Sequence, residues 1–167
     1  MFAGGSGIAP FRSFWQARIA SGAIGRNVLF LGVQSRKKFL YKQELRQHVL
    51  AGQLEPHVAF SRDSNGLVFD PTLRDLVEKQ MEPRYLDTTI VDQGSYICDL
   101  VTSTKMGGLG GSLYICGSLA LYETVMSGLR KALYKYRAVT KESADGLLAT
   151  AFAERRFMLD VFMTRPT

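Results

Sequence analysis

A short apolar segment running straight into a glycine-rich turn constrains this chain more than any other feature: Met1-Phe2-Ala3 is followed by GGSGIAPF, Gly4 to Phe11. The apolar residues end a strand, and the Gly-Ser-Gly run permits a tight turn whose backbone another molecule can approach closely. Pro10 falls where a first helical residue belongs, since its missing N–H would be unpaired there anyway. A strand, a glycine turn and a helix N-terminus together expose backbone N–H groups and the positive end of a helix dipole, which makes an anion site. Pyrophosphate is the expected anion. The spacing Gly5-x-Gly7-x-x-Pro10 puts proline where the common dinucleotide fingerprint has its third glycine. By itself the turn is equally consistent with an ordinary strand-to-helix connection.

Downstream, apolar residues at Phe11, Phe14, Trp15 and Ile19 have helical spacing up to Ala20, and Ser21-Gly22 stops the helix. Asn27–Val33 (NVLFLGV) is a continuous apolar run, the mark of a strand covered on both faces. A helix is predicted over Lys38–Ala51 with Phe39, Leu40, Leu45 and Val49 inward, then a strand over His57–Asp63. Asp70-Pro71 predicts a capped helix running to about Gln80, and Glu82-Pro83 breaks it. Further helices are predicted over Tyr96–Ser103, Leu119–Tyr136 and Ser143–Arg155, and further strands over Ser112–Ser118 and Phe157–Met163. Strands alternating with helices at these lengths predict an α/β fold: one domain over residues 1–167, a doubly wound, Rossmann-like parallel sheet with helices on both faces. In such sheets ligands bind beyond the carboxyl ends of the strands.

The length of 167 residues suits one domain, and 46% apolar with 22% charged residues describes a globular chain. No apolar run reaches the roughly 18 residues of a membrane span. Cys98 and Cys116 form no metal pattern, so a reducing compartment and a cytoplasmic location are expected. A net charge of +6 favours an anionic partner. The basic residues are scattered and not interleaved with aromatic ones, so nucleic acid is not the expected partner. Only three residues precede the glycines, whereas strands usually have about five. The chain is therefore expected to be the C-terminal module of a longer protein.

Five pieces in order, GGSGIAPF, FLYKQEL (Phe39–Leu45), VAFSRD (Val58–Asp63), LYICGS (Leu113–Ser118) and RRFMLDVF (Arg155–Phe162), carry a family likeness. The chain resembles the NADP-binding domain of the ferredoxin–NADP reductase superfamily, and within it the diflavin reductases. The resemblance implies NADP(H) as cofactor, with FAD held by a flavin-binding domain upstream or on another subunit, and a redox acceptor protein as a further partner. Gly5, Ser6 and Gly7 would line the pyrophosphate. Ser61 and Arg62 match the family's 2′-phosphate clamp; a hydroxyl and a guanidinium fork suit a dianion. Without the family, Arg62 reads as a surface arginine at a strand end. No acidic residue ends the second strand to hold a free ribose 2′-OH.

Cys116, Asp160 and Phe162 match the residues around the nicotinamide and the aromatic that covers the flavin. The bland counterparts of Cys116 and Asp160 are a small buried hydrophobe and a solvated or ion-paired carboxylate. Phenylalanine replaces the tryptophan of many diflavin members, and Met163–Thr167 extend past it. Gln34 stands where the family often has arginine, with Arg36 as a possible substitute. Gly117 follows the cysteine, and Ser118, in the place of an aspartate, can still hydrogen-bond a ribose or amide. An inserted segment over residues 64–95 separates Ser61-Arg62 from Tyr96, which best matches the family's tyrosine at the 2′-phosphate; Gly94 takes the lysine position, and Phe69 is the competing alignment. The function implied is hydride transfer from NADPH to FAD. The competing readings are a nucleotide-sensing or scaffold module without turnover, and an NADH-using oxygenase reductase domain.

Overall fold

Three residues make the central strand of the molecule. A computed structural model describes residues 1–163, with Thr164–Thr167 outside the described residues. In chain order the elements are β1 (Phe2–Gly4), α1 (Ala9–Ala20), β2 (Val28–Val33), α2 (Lys42–Leu50), β3 (Glu55–Phe60), β4 (Asn65–Asp70), β5 (Asp75–Gln80), α3 (Leu86–Asp92), α4 (Gly94–Val101), β6 (Leu113–Ser118), α5 (Leu119–Arg137), α6 (Lys141–Ala153) and β7 (Phe157–Phe162). Five strands form one parallel sheet in the order β3-β2-β1-β6-β7. β1 is flanked by Phe30 of β2 and Ile115 of β6, both Cα partners of Phe2.

Strand periodicity sorts the core into two layers. From β2, Val28 and Phe30 point to one face, where they join Phe2, Ile115 and the inward residues of α3, α4, α5 and α6. Leu29, Leu31 and Val33 point to the other, with Phe11 and Trp15 of α1 and Leu45 of α2. Both faces are covered, so the apolar run is continuous. This is the doubly wound architecture the alternation predicts. Glu44 of α2 ties the two helices of the second layer together, accepting from Arg12 Nε at 2.7 Å and Gln16 Nε2 at 3.0 Å. No helix of the described residues is long and apolar enough to cross a membrane.

Three local expectations are corrected. The helix predicted to start at Lys38 starts at Lys42, after a 3₁₀ turn over Arg36–Lys38. Phe39 is extended and Tyr41 takes a left-handed conformation (φ 57°), which turns Phe39 into the core and leaves Leu40 exposed. The helix predicted from Asp70 to Gln80 is instead half of an antiparallel hairpin, β4–β5. Asp70 Oδ1 does accept from the next backbone N–H groups, Thr72 at 2.8 Å and Leu73 at 3.0 Å, but the same bonding that caps a helix also closes a turn. An isolated two-stranded hairpin is marginal in water. This one is anchored by buried Leu67, by Phe69 set edge-on to His57 at 6.2 Å between ring centroids, and by the Arg46–Asp75 pair at 2.7 Å. The third correction is α3, for which no helix was expected. Leu86 and Ile90, one turn apart, bury its inner face.

Candidate functional site

The crossovers from β1 lead to β2 on one side of the sheet, while β6 and β7 lie on the other, so the chain order reverses beside β1. The carboxyl ends of the strands open there into a cleft of about 580 Å³. Its walls include Gly5 and Ser6 after β1, Gln34 after β2, Ser61 after β3, Ser118 at the end of β6 and Phe162 at the end of β7. The tips of all five strands thus converge on one opening, of a size usual for small-molecule sites.

The two glycines of the turn do different work. Gly5 has φ +53°, and a Cβ there would meet no atom within 4 Å, so its backbone faces open space. A Cβ on Gly7 would lie 2.2 Å from the Cys116 carbonyl oxygen, closer than any real contact allows. Gly7 therefore seats the turn on β6 and is not among the cleft-lining residues, where the sequence had put it. The turn winds as a 3₁₀ segment, Gly5–Ile8, directly into α1, with Pro10 in the first turn and no side-chain cap on either N-terminus. The first amide of α1, on Ala9, is bonded to Ser6 O, so the uncapped donors of the turn are those that precede it.

At the β6–β7 side, Cα partners stack in register: Cys116 with Asp160, and Ser118 with Phe162. Residues two apart share a face of a strand, so the thiol and carboxylate lie one pleat below the cleft-lining pair. Cys116 Sγ donates to Asp160 Oδ2 at 3.5 Å. Burial, reinforced by the neighbouring carboxylate, pushes the thiol pKa up to about 11. The sulfur is therefore a neutral, polarisable group at neutral pH rather than a thiolate. Gly117 lies between the two levels, where a Cβ would lie 2.5 Å from Leu121 Cδ2.

Ser61 and Arg62 leave β3 with their N–H groups bonded to Val33 O at 3.0 Å and Gln34 O at 2.9 Å. Ser61 lines the cleft; Arg62 stands exposed beside it, its guanidinium without a hydrogen bond or ion pair among the described residues. Two expected residues lie elsewhere. Arg36 is turned into the β4–β5 hairpin, where it pairs with Glu78 and donates to Gly66 O at 3.3 Å. Tyr96, on α4, lies under the Arg26 guanidinium at 4.0 Å and lines a separate cavity of about 640 Å³ with Phe2 and Val28, at the amino ends of the strands. That cavity is slightly the larger, but it is remote from the glycine turn and from the carboxyl-end tip of every strand. The strand-end cleft is the site that chemistry favours.

The reason for the misplacement of Tyr96 is the hairpin. Once it closes, the chain returns to the strand ends at Arg84-Tyr85, where the Arg84 N–H bonds Phe60 O at 2.8 Å. Tyr85 lines the cleft and is 69% exposed, so its ring is free to meet a ligand. Lys38, Arg84 and Thr124 are further cleft residues that the sequence did not single out. The signal for Tyr85 was available in NGLVFD and DLVEKQ, two β-type segments around a Pro-containing turn.

Residues 1–127 match the family model described as the oxidoreductase NAD-binding domain. The chain is 31% identical over 160 residues to NADPH oxidoreductase A of Dictyostelium discoideum, covering 95% of this chain and 22% of that protein. It is 31% identical over 165 residues to the sulfite reductase [NADPH] flavoprotein alpha-component of Klebsiella pneumoniae, and 32% identical to that of Salmonella paratyphi A, each time covering 97% of this chain and 24% of the relative. The chain thus spans about a quarter of the length of the relatives it matches.

Proposed function

The chain belongs to the oxidoreductase NAD-binding domain family, in its ferredoxin–NADP reductase form akin to the diflavin reductases, and from that premise we propose that the strand-end cleft binds NADPH and presents its nicotinamide to a flavin held by another domain or subunit. The observation that carries the proposal is the convergence of the Gly5-Ser6 turn, Ser61 and the Ser118–Phe162 pair on one cleft, directly above Cys116 and Asp160.

The fit can be argued from the residues. A pyrophosphate needs several N–H donors and room for close approach, and the uncapped turn at Gly5-Ser6 offers both. A 2′-phosphate needs charge-assisted donors; Ser61 supplies a hydroxyl, Arg62 a guanidinium not engaged by the described residues, and Tyr85 a phenol and a stacking face. The nicotinamide needs a flat contact and a dry floor. Phe162 supplies the first, and Cys116 over the apolar layer the second.

Bound NADPH supplies the hydride and FAD accepts it; the protein contributes alignment and electrostatics. Asp160, held against the thiol, is an anionic group beside the ring, where positive charge would develop as hydride leaves. Cys116, kept protonated, packs as a soft neutral surface and cannot compete as a nucleophile. Phe162 is 43% exposed and is the residue that would have to yield its place to the ring that stacks there. The acceptor beyond the flavin is chosen outside this chain, and the chain alone is expected to bind nucleotide without turning it over.

Calorimetric titration with NADP⁺ and NAD⁺ tests the proposal. Preferential NADP⁺ binding supports it; NAD⁺ preference would favour an NADH-using relative. Failure of both to bind more tightly than about 1 mM, some 4 kcal/mol, would overturn it.

A further inference from the structure

Arg36 and Lys38 share one 3₁₀ turn after β2, yet the hairpin treats their charges differently. The Arg36 guanidinium is enclosed by hairpin groups: Nε faces Asn65 O at 3.4 Å, Nη2 faces Gly66 O at 3.3 Å, and Nη1 pairs with Glu78. Its main-chain N–H is held as well, by Asp63 Oδ2 at 2.7 Å. All three guanidinium nitrogens are therefore engaged away from the cleft, and the charge is balanced by a carboxylate. Lys38 is exposed and lines the cleft. Its Nζ donates to Gln34 Oε1 at 2.7 Å, a neutral acceptor that also lines the cleft. It forms no ion pair with a carboxylate among the described residues. Across the opening, Arg84 is paired with Asp92. An ammonium has three donors, so two remain for a ligand while the charge stays uncompensated.

We infer that Lys38, not Arg36, is the cation that the second strand contributes to the phosphorylated ribose of the nucleotide, because the β4–β5 hairpin withholds Arg36. The inference rests on the cleft being the nucleotide site. It makes the hairpin a specificity element: it removes a planar fork from the pocket and leaves a compact point charge, steadied by Gln34, in its place. A phosphate monoester dianion is the group such a charge recognises, and a bare ribose gains little from it.

The test titrates the full chain with 2′,5′-ADP and with 5′-ADP by calorimetry. Lys38→Met is expected to weaken 2′,5′-ADP about 10-fold, the size of one charge-assisted contact, and to change 5′-ADP less than about twofold. Lys38→Arg, which keeps the charge, should stay within about threefold of the parent. Arg36→Gln, which retains a donor for Gly66 O, should lower the melting temperature and leave both affinities within about twofold. A selective loss of 2′,5′-ADP in Arg36→Gln, or a Lys38→Met variant that loses both ligands equally or neither, would overturn the inference. Should Arg36→Gln fail to fold, the contrast between Lys38→Met and Lys38→Arg decides alone. Binding of neither ligand by the parent would overturn the site itself, a different result from parental binding that ignores Lys38.

Discussion

Cys116 and Asp160 face each other across the parallel β6–β7 register, with the thiol donating to the carboxylate at 3.5 Å. Burial is the larger cause of the raised thiol pKa, and the bond to Asp160 the next. Asp160→Asn removes the charge and leaves the burial, so the pKa should fall part of the way from about 11 towards the ordinary cysteine value. Each unit of fall raises the thiolate fraction about tenfold below the pKa. Iodoacetamide labelling at pH 9, mapped by peptide mass to separate Cys116 from Cys98, should run severalfold faster in the variant. Equal labelling rates would mean that the carboxylate does not hold the thiol.

Arg62 stands beside the cleft with a guanidinium that the described residues do not engage. Arg62→Ala should therefore cost little stability, within about 0.5 kcal/mol for an exposed site. Its effect should fall on binding: NADP⁺ weakened by roughly 1–3 kcal/mol, the scale of a charge-assisted contact, with NAD⁺ barely changed. Equal losses for the two nucleotides would remove Arg62 from the 2′-phosphate.

The glycine turn separates a packing role from a binding role. Gly7→Ala places a methyl 2.2 Å from the Cys116 carbonyl oxygen, a backbone atom that cannot swing aside. The turn must move off β6, at a cost of about 1–3 kcal/mol or more. Gly5→Ala meets no neighbour and costs only its left-handed backbone, about 1–2 kcal/mol. Thermal melts should rank Gly7→Ala as the more destabilised of the two. Nucleotide titration of Gly5→Ala should nonetheless show weaker binding, because a methyl on this cleft-lining residue hinders close approach to its backbone. Unimpaired binding by Gly5→Ala would take the pyrophosphate away from this turn.

How far the sequence carried these conclusions depends on which interactions are local. The two-sided burial of β2 is written in its unbroken apolar run, and the GGSG turn announces its own backbone shape. Alternation announces parallel strands joined by helical crossovers, while their order, β3-β2-β1-β6-β7, is read only from the structure. The hairpin was opaque because Asp70 with Pro71 satisfies the rules for a helix cap and for a turn equally well, and what decides is pairing between Val68 and Val77, which no local pattern shows. That single misreading hid that Tyr85, and not Tyr96, lines the strand-end cleft. The diversion of Arg36 was likewise hidden, since its partners Gly66 and Glu78 are remote in sequence. The Cys116–Asp160 contact, by contrast, was accessible once both residues were placed at strand tips.

His57 provides a test of the fold that is independent of the nucleotide. Its ring stacks on Phe30 at 5.0 Å and meets Phe69 of the hairpin edge-on, and burial lowers its pKa from 6.5 to about 4. Between those values the unfolded chain binds a proton that the folded chain refuses, so stability is full above pH 6.5 and drains away as the pH falls towards 4. The shift corresponds to roughly 3–4 kcal/mol across that window. His57→Phe keeps an aromatic ring between Phe30 and Phe69 but cannot take up the proton. Carboxylates titrate in both proteins, so the difference between them isolates His57. Urea melts at pH 7.5 and pH 5 should show the parent losing more stability on acidification than His57→Phe. Parallel losses in the two would mean that the ring is hydrated enough to protonate in place.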